Sequence, residues 1–182
     1  MTLRQGSQKK RHGTGTIVGT ALALLIGAGV ILEGPAEAQR LRAQIYLTQA
    51  RIPRNVTERG LIRFARSHNA RRLQETSGPI AERTWRAEMV TAFNRSPGDL
   101  EYQVLFYDLE GGARRFIEPP LSTFINNRDE KTFVRRINLE RPRFEPNHRM
   151  ELVVVVRRNE VGRARFETRG EVIQNSGVVS FD

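Results

Sequence analysis

Arg59, Arg63 and Arg66 follow one another at spacings of four and three. On a helix those spacings place three guanidinium groups on one face, about a turn apart. The chemistry this permits is anion binding. Each group stays charged and can grip a carboxylate or a phosphate through two parallel N–H donors. Only Glu58 stands nearby to neutralise them, so these three are the candidate partner-binding residues. A second array, Arg163, Arg165 and Arg169, has the alternating spacing of a strand, with Ala164 and Phe166 turned inward. Glu167 interrupts that row, and Glu151 on a neighbouring strand can pair across it, so it reads as a solvated sheet face.

Other chemistry is poorly supplied. The sequence has no cysteine, which excludes a thiolate metal site, a Cys nucleophile and a disulfide framework. His12, His68 and His148 are scattered, and a zinc site needs three or four convergent ligands. His68 reads as a half-buried packing residue and His148 as a turn residue. Asp108/Glu110 and Asp129/Glu130 have the look of acid–base pairs, but both lie beside turn residues, where acids usually face water. Nucleophile elbow, phosphate-cradling glycine loop and acidic calcium loop are all missing. No catalytic residue, cofactor or metal is expected, and the chain reads as non-enzymatic.

The candidate arginines need a helix to hold them. Asn55 can cap one, Glu58 follows three residues on, and the run continues to about Leu73. Leu61, Phe64, Ala65 and His68 then share the face opposite Arg59, Arg63 and Arg66. Before it, Ala43–Ile52 fits both a strand and a helix. The alternation of Ile45 and Leu47 with Tyr46 and Thr48 favours a strand ending at Pro53.

From Arg83 onward the period is two. Trp85, Met89, Val104, Phe106, Phe133, Leu152, Val154 and Phe166 are the expected core. Strands are predicted from Arg83 to Phe93 and from Leu100 to Tyr107. More follow at Arg114–Ile117, Leu121–Ile125, Thr132–Leu139, Arg149–Arg157 and Val161–Gly170. Turn-forming segments such as Pro119-Pro120 and Pro142–Pro146 separate them. Short strands at this spacing predict a mainly β fold, an antiparallel immunoglobulin-like β-sandwich over residues 76–170, with a tail at 171–182.

Charge divides the chain further. Residues 39–75 hold nine Arg against two acids, whereas 76–182 hold 17 basic residues against 16 acidic. Of the 30 basic residues in the chain 27 are Arg, a bias that a GC-rich genome explains by itself. The first 38 residues have the three-part plan of an export signal. A basic stretch (Arg4, Lys9, Lys10, Arg11) precedes an uncharged run of 20 residues, Gly13 to Leu32, and then Ala36-Glu37-Ala38. Cleavage after Ala38 is expected. The alternative is a retained anchor spanning about 13–32, since a membrane helix needs about 20 apolar residues. Without a Cys after the run, no bacterial lipid anchor is expected.

These features predict an exported module of the bacterial envelope, in the periplasm or at the cell surface. It would bind an envelope protein or an anionic surface through the sandwich and the Arg-rich helix. The alternative is an anion-binding protein, engaging lipopolysaccharide, membrane headgroups or nucleic acid through residues 40–72. Nucleic acid is disfavoured, because Phe64 is the only aromatic in the basic helix and lies on the opposite face.

Overall fold

Alternation of apolar and polar residues decides most of the architecture, because it gives each strand one face to bury. A computed structural model describes residues 40–98 and 101–172, all within one compact unit that spans 36–182. Among these residues eight strands form: β1 (Ala43–Thr48), β2 (Arg72–Gln74), β3 (Thr84–Phe93), β4 (Glu101–Asp108), β5 (Arg115–Phe124), β6 (Thr132–Glu140), β7 (Arg149–Val156) and β8 (Asn159–Arg169). One helix, α1 (Glu58–Ser67), lies between β1 and β2. The strands make two sheets, β1-β3-β6 and β2-β8-β7-β4-β5. All pairs are antiparallel except β2 with β8.

In these sheets β1, β3 and β6 take the order of the A, B and E strands of immunoglobulin domains, and β4, β7 and β8 that of C, F and G. The fold is an immunoglobulin-like β-sandwich. All eight residues expected in its core are buried. Trp85 is fully enclosed and donates its indole N–H to the carbonyl of Arg169 at 2.8 Å, which ties β3 to the end of β8.

Several expectations need correction. The sandwich does not begin at residue 76, because β1 pairs with β3 and β2 pairs with β8. Leu47 and Leu73 are wholly inside the core, so the basic stretch supplies part of it. The ambiguous segment is a strand, but it stops at Thr48 rather than near Pro53. There the Thr48 hydroxyl accepts the N–H of Ala50, and the Gln49 side chain turns to the backbone of Gln74 and Arg86.

The helix is shorter than expected. Its cap is Thr57, whose Oγ1 accepts the N–H of Gly60 at 3.2 Å, while Asn55 adopts a positive φ of 58°. It ends at Ser67 and not at Leu73, because Asn69 and Ala70 bond back to the N–H and carbonyl of Leu47. That turns the chain out of the helix and into β2. The two segments expected at 114–117 and 121–125 are one strand running through Pro119-Pro120. It tolerates them because β5 is a sheet edge and its pairing with β4 is irregular here, the register shifting between Val104 and Phe106.

The expected export segment and the residues from 173 onward, including Val178, Val179 and Phe181, lie outside the described residues. Among the described residues no helix is long and apolar enough to cross a membrane.

Candidate functional site

A ten-residue helix is marginal in water, so α1 depends on what it docks against. Ala65 is fully buried, and Leu61, Ile62 and Phe64 are half-buried. Glu58, at the first helical position where an acid suits the dipole, accepts the hydroxyl of Thr132 on β6 at 2.7 Å. His68 departs from expectation. It is exposed at the helix end, stacked on Phe64 with ring centroids 4.2 Å apart.

The docking turns Arg59, Arg63 and Arg66 outward. All three are exposed, and with Glu58 and Ile62 they line a shallow depression of about 420 Å³. Arg66 Nε donates a long hydrogen bond of 3.4 Å to the Tyr46 hydroxyl. Among the described residues none of the three arginines is in an ion pair. Arrays of this kind can instead be docking devices, paired with acids of their own domain. Asp108 and Glu110 are not available for that, because both are held at another place.

Asp108 is buried at the end of β4. Its carboxylate meets Arg115 Nη2 at 2.8 Å and His148 Nδ1 at 2.9 Å, and accepts the N–H of Glu110 at 2.8 Å. Burial pushes its pKa up, but Arg115, the Glu110 N–H and His148 outweigh this and hold it below the ordinary value. Glu110 itself lies 3.5 Å from Arg149. So His148 is more than a turn residue, and the pair Asp108/Glu110 does not simply face water. The sequence carried no local signal for this, since the partners lie 7 and 40 residues away. Asp129 and Glu130, by contrast, are exposed in a turn, as expected.

The array on β8 is neutralised. Arg165 Nε lies 3.1 Å from Glu151, and Arg114 on the other side reaches the same carboxylate at 2.9 Å while covering the Tyr107 ring. Arg163 pairs with Glu160 at 2.5 Å, and Arg169 with Glu167 at 2.8 Å.

No family model matches the chain, and no curated protein does. Among solved structures it is similar to an immunoglobulin-like protein from Pseudomonas aeruginosa at 11% identity and a TM-score of 0.39, covering 71% of this chain and 97% of that one. It is also similar to a β-glucosidase from Listeria innocua, in complex with gluconolactone, at 12% identity and a TM-score of 0.36. That match covers 72% of this chain but only 17% of the enzyme. Both likenesses are loose, and the fold assignment rests on the sheet order itself.

One further cluster escaped the sequence. Glu75, just after β2, receives Arg83 at 2.7 Å, Arg141 at 2.6 Å and the N–H of Glu171 at 3.0 Å. Burial raises its pKa, and these donors more than offset that, leaving it lowered. A Cβ at Gly170 would lie 2.3 Å from Glu75 Oε2, so a side chain there would have to displace this carboxylate. This cluster clamps β2, the start of β3 and the end of β8 together. Its role is structural.

Proposed function

We propose that this chain is a non-enzymatic interaction module exported to the bacterial envelope, binding an acidic partner through the exposed face of α1. One observation carries the reading. Arg59, Arg63 and Arg66 are held outward by a docked helix, and none of them is in an ion pair among the described residues, Glu58 beside them being bonded to Thr132. Guanidinium groups so displayed keep their full capacity for bidentate pairing with carboxylates or phosphates. The partner class is an envelope protein with an acidic patch, and the salt response separates it from a phosphate surface. Binding driven by many phosphate contacts weakens steeply as salt rises.

The export address rests on the basic stretch, the apolar run 13–32 and the Ala36-x-Ala38 site. Intact mass of the protein recovered from its host tests it. A chain starting at Gln39 supports export with cleavage. A membrane-bound chain retaining residues 1–38 supports the anchored form, and a soluble full-length chain in the cytoplasm overturns the address. For the α1 face, the test is pull-down from envelope extract with the Arg59→Gln/Arg63→Gln/Arg66→Gln chain beside the native one. Loss of a partner that the native chain captures supports the reading. Equal capture by both overturns it.

A further inference from the structure

At one end of the sandwich the start of β1, the β3–β4 loop and the β7–β8 hairpin enclose a basin of about 770 Å³. Arg40, Arg42, Arg95, Arg157 and Arg163 line it, and among the described lining residues Glu160 is the acid. We infer that this basin is a second anion site, separate from α1, and that it takes a phosphate group.

The basin is assembled by specific devices. Asn94 accepts the N–H of Arg42 at 2.9 Å and donates to the carbonyl of Arg40 at 3.0 Å, fixing the backbone that carries both arginines. A Cβ at Gly162 would lie 2.4 Å from the Ala43 carbonyl oxygen, so only glycine lets β8 come this close to the start of β1. Arg157 Nη2 donates to the carbonyl of Gly98 at 2.7 Å, bridging the hairpin to the β3–β4 loop.

The hairpin itself is unusual. Arg157 and Arg158 occupy its two central positions with φ of 50° and 64°. A two-residue turn of this hand favours Asn-Gly, because a Cβ is strained at positive φ. Two consecutive arginines there keep charge where the backbone would prefer glycine. Strain of this kind gathers at functional sites.

Glu160, the acid among the described lining residues, is not paired with Arg40 or Arg95. Glu160 is occupied by Arg163, at 2.7 Å from Nε and 2.5 Å from Nη2. Arg40 and Arg95 have side chains with no ion pair or hydrogen bond among the described residues. A carboxylate offers two oxygens, whereas a terminal phosphate offers three and carries close to two charges. Arg40 and Arg95, two guanidinium groups lining one basin, match the latter.

The test uses the purified full chain with two probes, inorganic pyrophosphate and vesicles of phosphatidylcholine carrying phosphatidic acid, whose phosphate is terminal, with phosphatidylcholine vesicles as reference. The vesicle readout is the difference between the two lipids, because an apolar segment reaches both alike. The expected result is saturable binding to at least one probe, weakening as salt rises and falling at least tenfold in Arg40→Gln/Arg95→Gln. The Arg59→Gln/Arg63→Gln/Arg66→Gln chain should retain it. Response to the vesicles alone assigns the phosphate to a lipid headgroup, and response to pyrophosphate alone to a free phosphate. If the double variant folds poorly by circular dichroism, Arg95→Gln alone should still lower binding severalfold. Binding to neither probe overturns the site, as does binding that survives the basin changes or falls only with the α1 changes.

Discussion

The arginines of α1 and those of β8 are the same residue type on one domain, in opposite electrostatic circumstances. Arg163, Arg165 and Arg169 each lie within 3.1 Å of a carboxylate oxygen, and Glu151 between them is 2% exposed. Arg59, Arg63 and Arg66 have no acid within pairing distance among the described residues. A strand places the side chains of its neighbours directly opposite, so a charged row on a sheet meets whatever the next strand carries. A helix lying on a sandwich turns one face to solvent and meets nothing. Arginine on the sheet is therefore paired within the fold, whereas arginine on α1 is in no ion pair among the described residues.

The comparison assumes two faces of a single domain, and truncation tests that most severely. Residues 76–182 alone lack β1 and β2, and with them Leu47 and Leu73, both fully buried. Each such leucine contributes about 1.5–3 kcal/mol on burial, against a domain stability of about 5–15 kcal/mol. The loss of two strands and of the Glu75 clamp comes on top. The fragment should be unfolded by circular dichroism at 25 °C, and restoring residues 40–75 should recover the strand spectrum. A cooperatively folded 76–182 fragment would reduce α1 to an appendage.

Replacing Glu151 by Ala should have the next largest effect. It strips the shared partner from Arg114 and Arg165. Removing one member of a fully buried pair costs about 3–5 kcal/mol. Here the arginine side chains remain 40% and 71% exposed and can rehydrate. The expected loss is therefore about 1–3 kcal/mol, seen as a lower midpoint of urea unfolding. An unchanged midpoint would mean that the β8 row is as idle as the α1 row.

Much of this was open to reading in the sequence. Period-two alternation identified the core and the strands after residue 83, because each carries large apolar residues on one face. The β8 row and its partner Glu151 could be placed, since strand register follows from the same alternation. The membership of β1 and β2 could not. Six and three residues long, they are paired with strands distant in sequence, and no local pattern records such pairing. The helix end was hidden for a similar reason, since bonds to Leu47 stop it rather than a glycine or proline. The Asp108 and Glu75 clusters are products of tertiary contact, so Asp108 looked like an ordinary turn residue and Glu75 was no more than one of two acids in a basic stretch.

Asp108 and Arg115 are an intermediate case, an exposed arginine on a buried acid. The Asp108 pKa is held below its ordinary value, so its pairing stabilises the fold fully above the ordinary aspartate range. That contribution is lost as pH falls through about 4 towards the folded-state value. Asp108→Asn should lower stability at neutral pH by about 1 kcal/mol. It should also flatten the dependence of melting temperature on pH below about 5. An unaltered acid slope would show that another carboxylate, such as Glu75, governs it.

The smallest expected effect on stability belongs to the α1 row, and its smallness is the point. Arg59→Gln/Arg63→Gln/Arg66→Gln removes three charges, of which, among the described residues, only Arg66 has a side-chain hydrogen bond, a long one to Tyr46. Surface changes of this kind usually shift stability by less than about 0.5 kcal/mol each. Glutamine also keeps helix propensity close to that of arginine. The melting temperature should therefore stay nearly constant and rise slightly at low salt, where the three like charges repel one another most. A fall of several degrees would mean that these arginines pair with acids after all and belong with the β8 row. A constant melting temperature together with loss of a captured envelope partner would separate the two rows by function, the sheet row holding the fold and the helix row the contact.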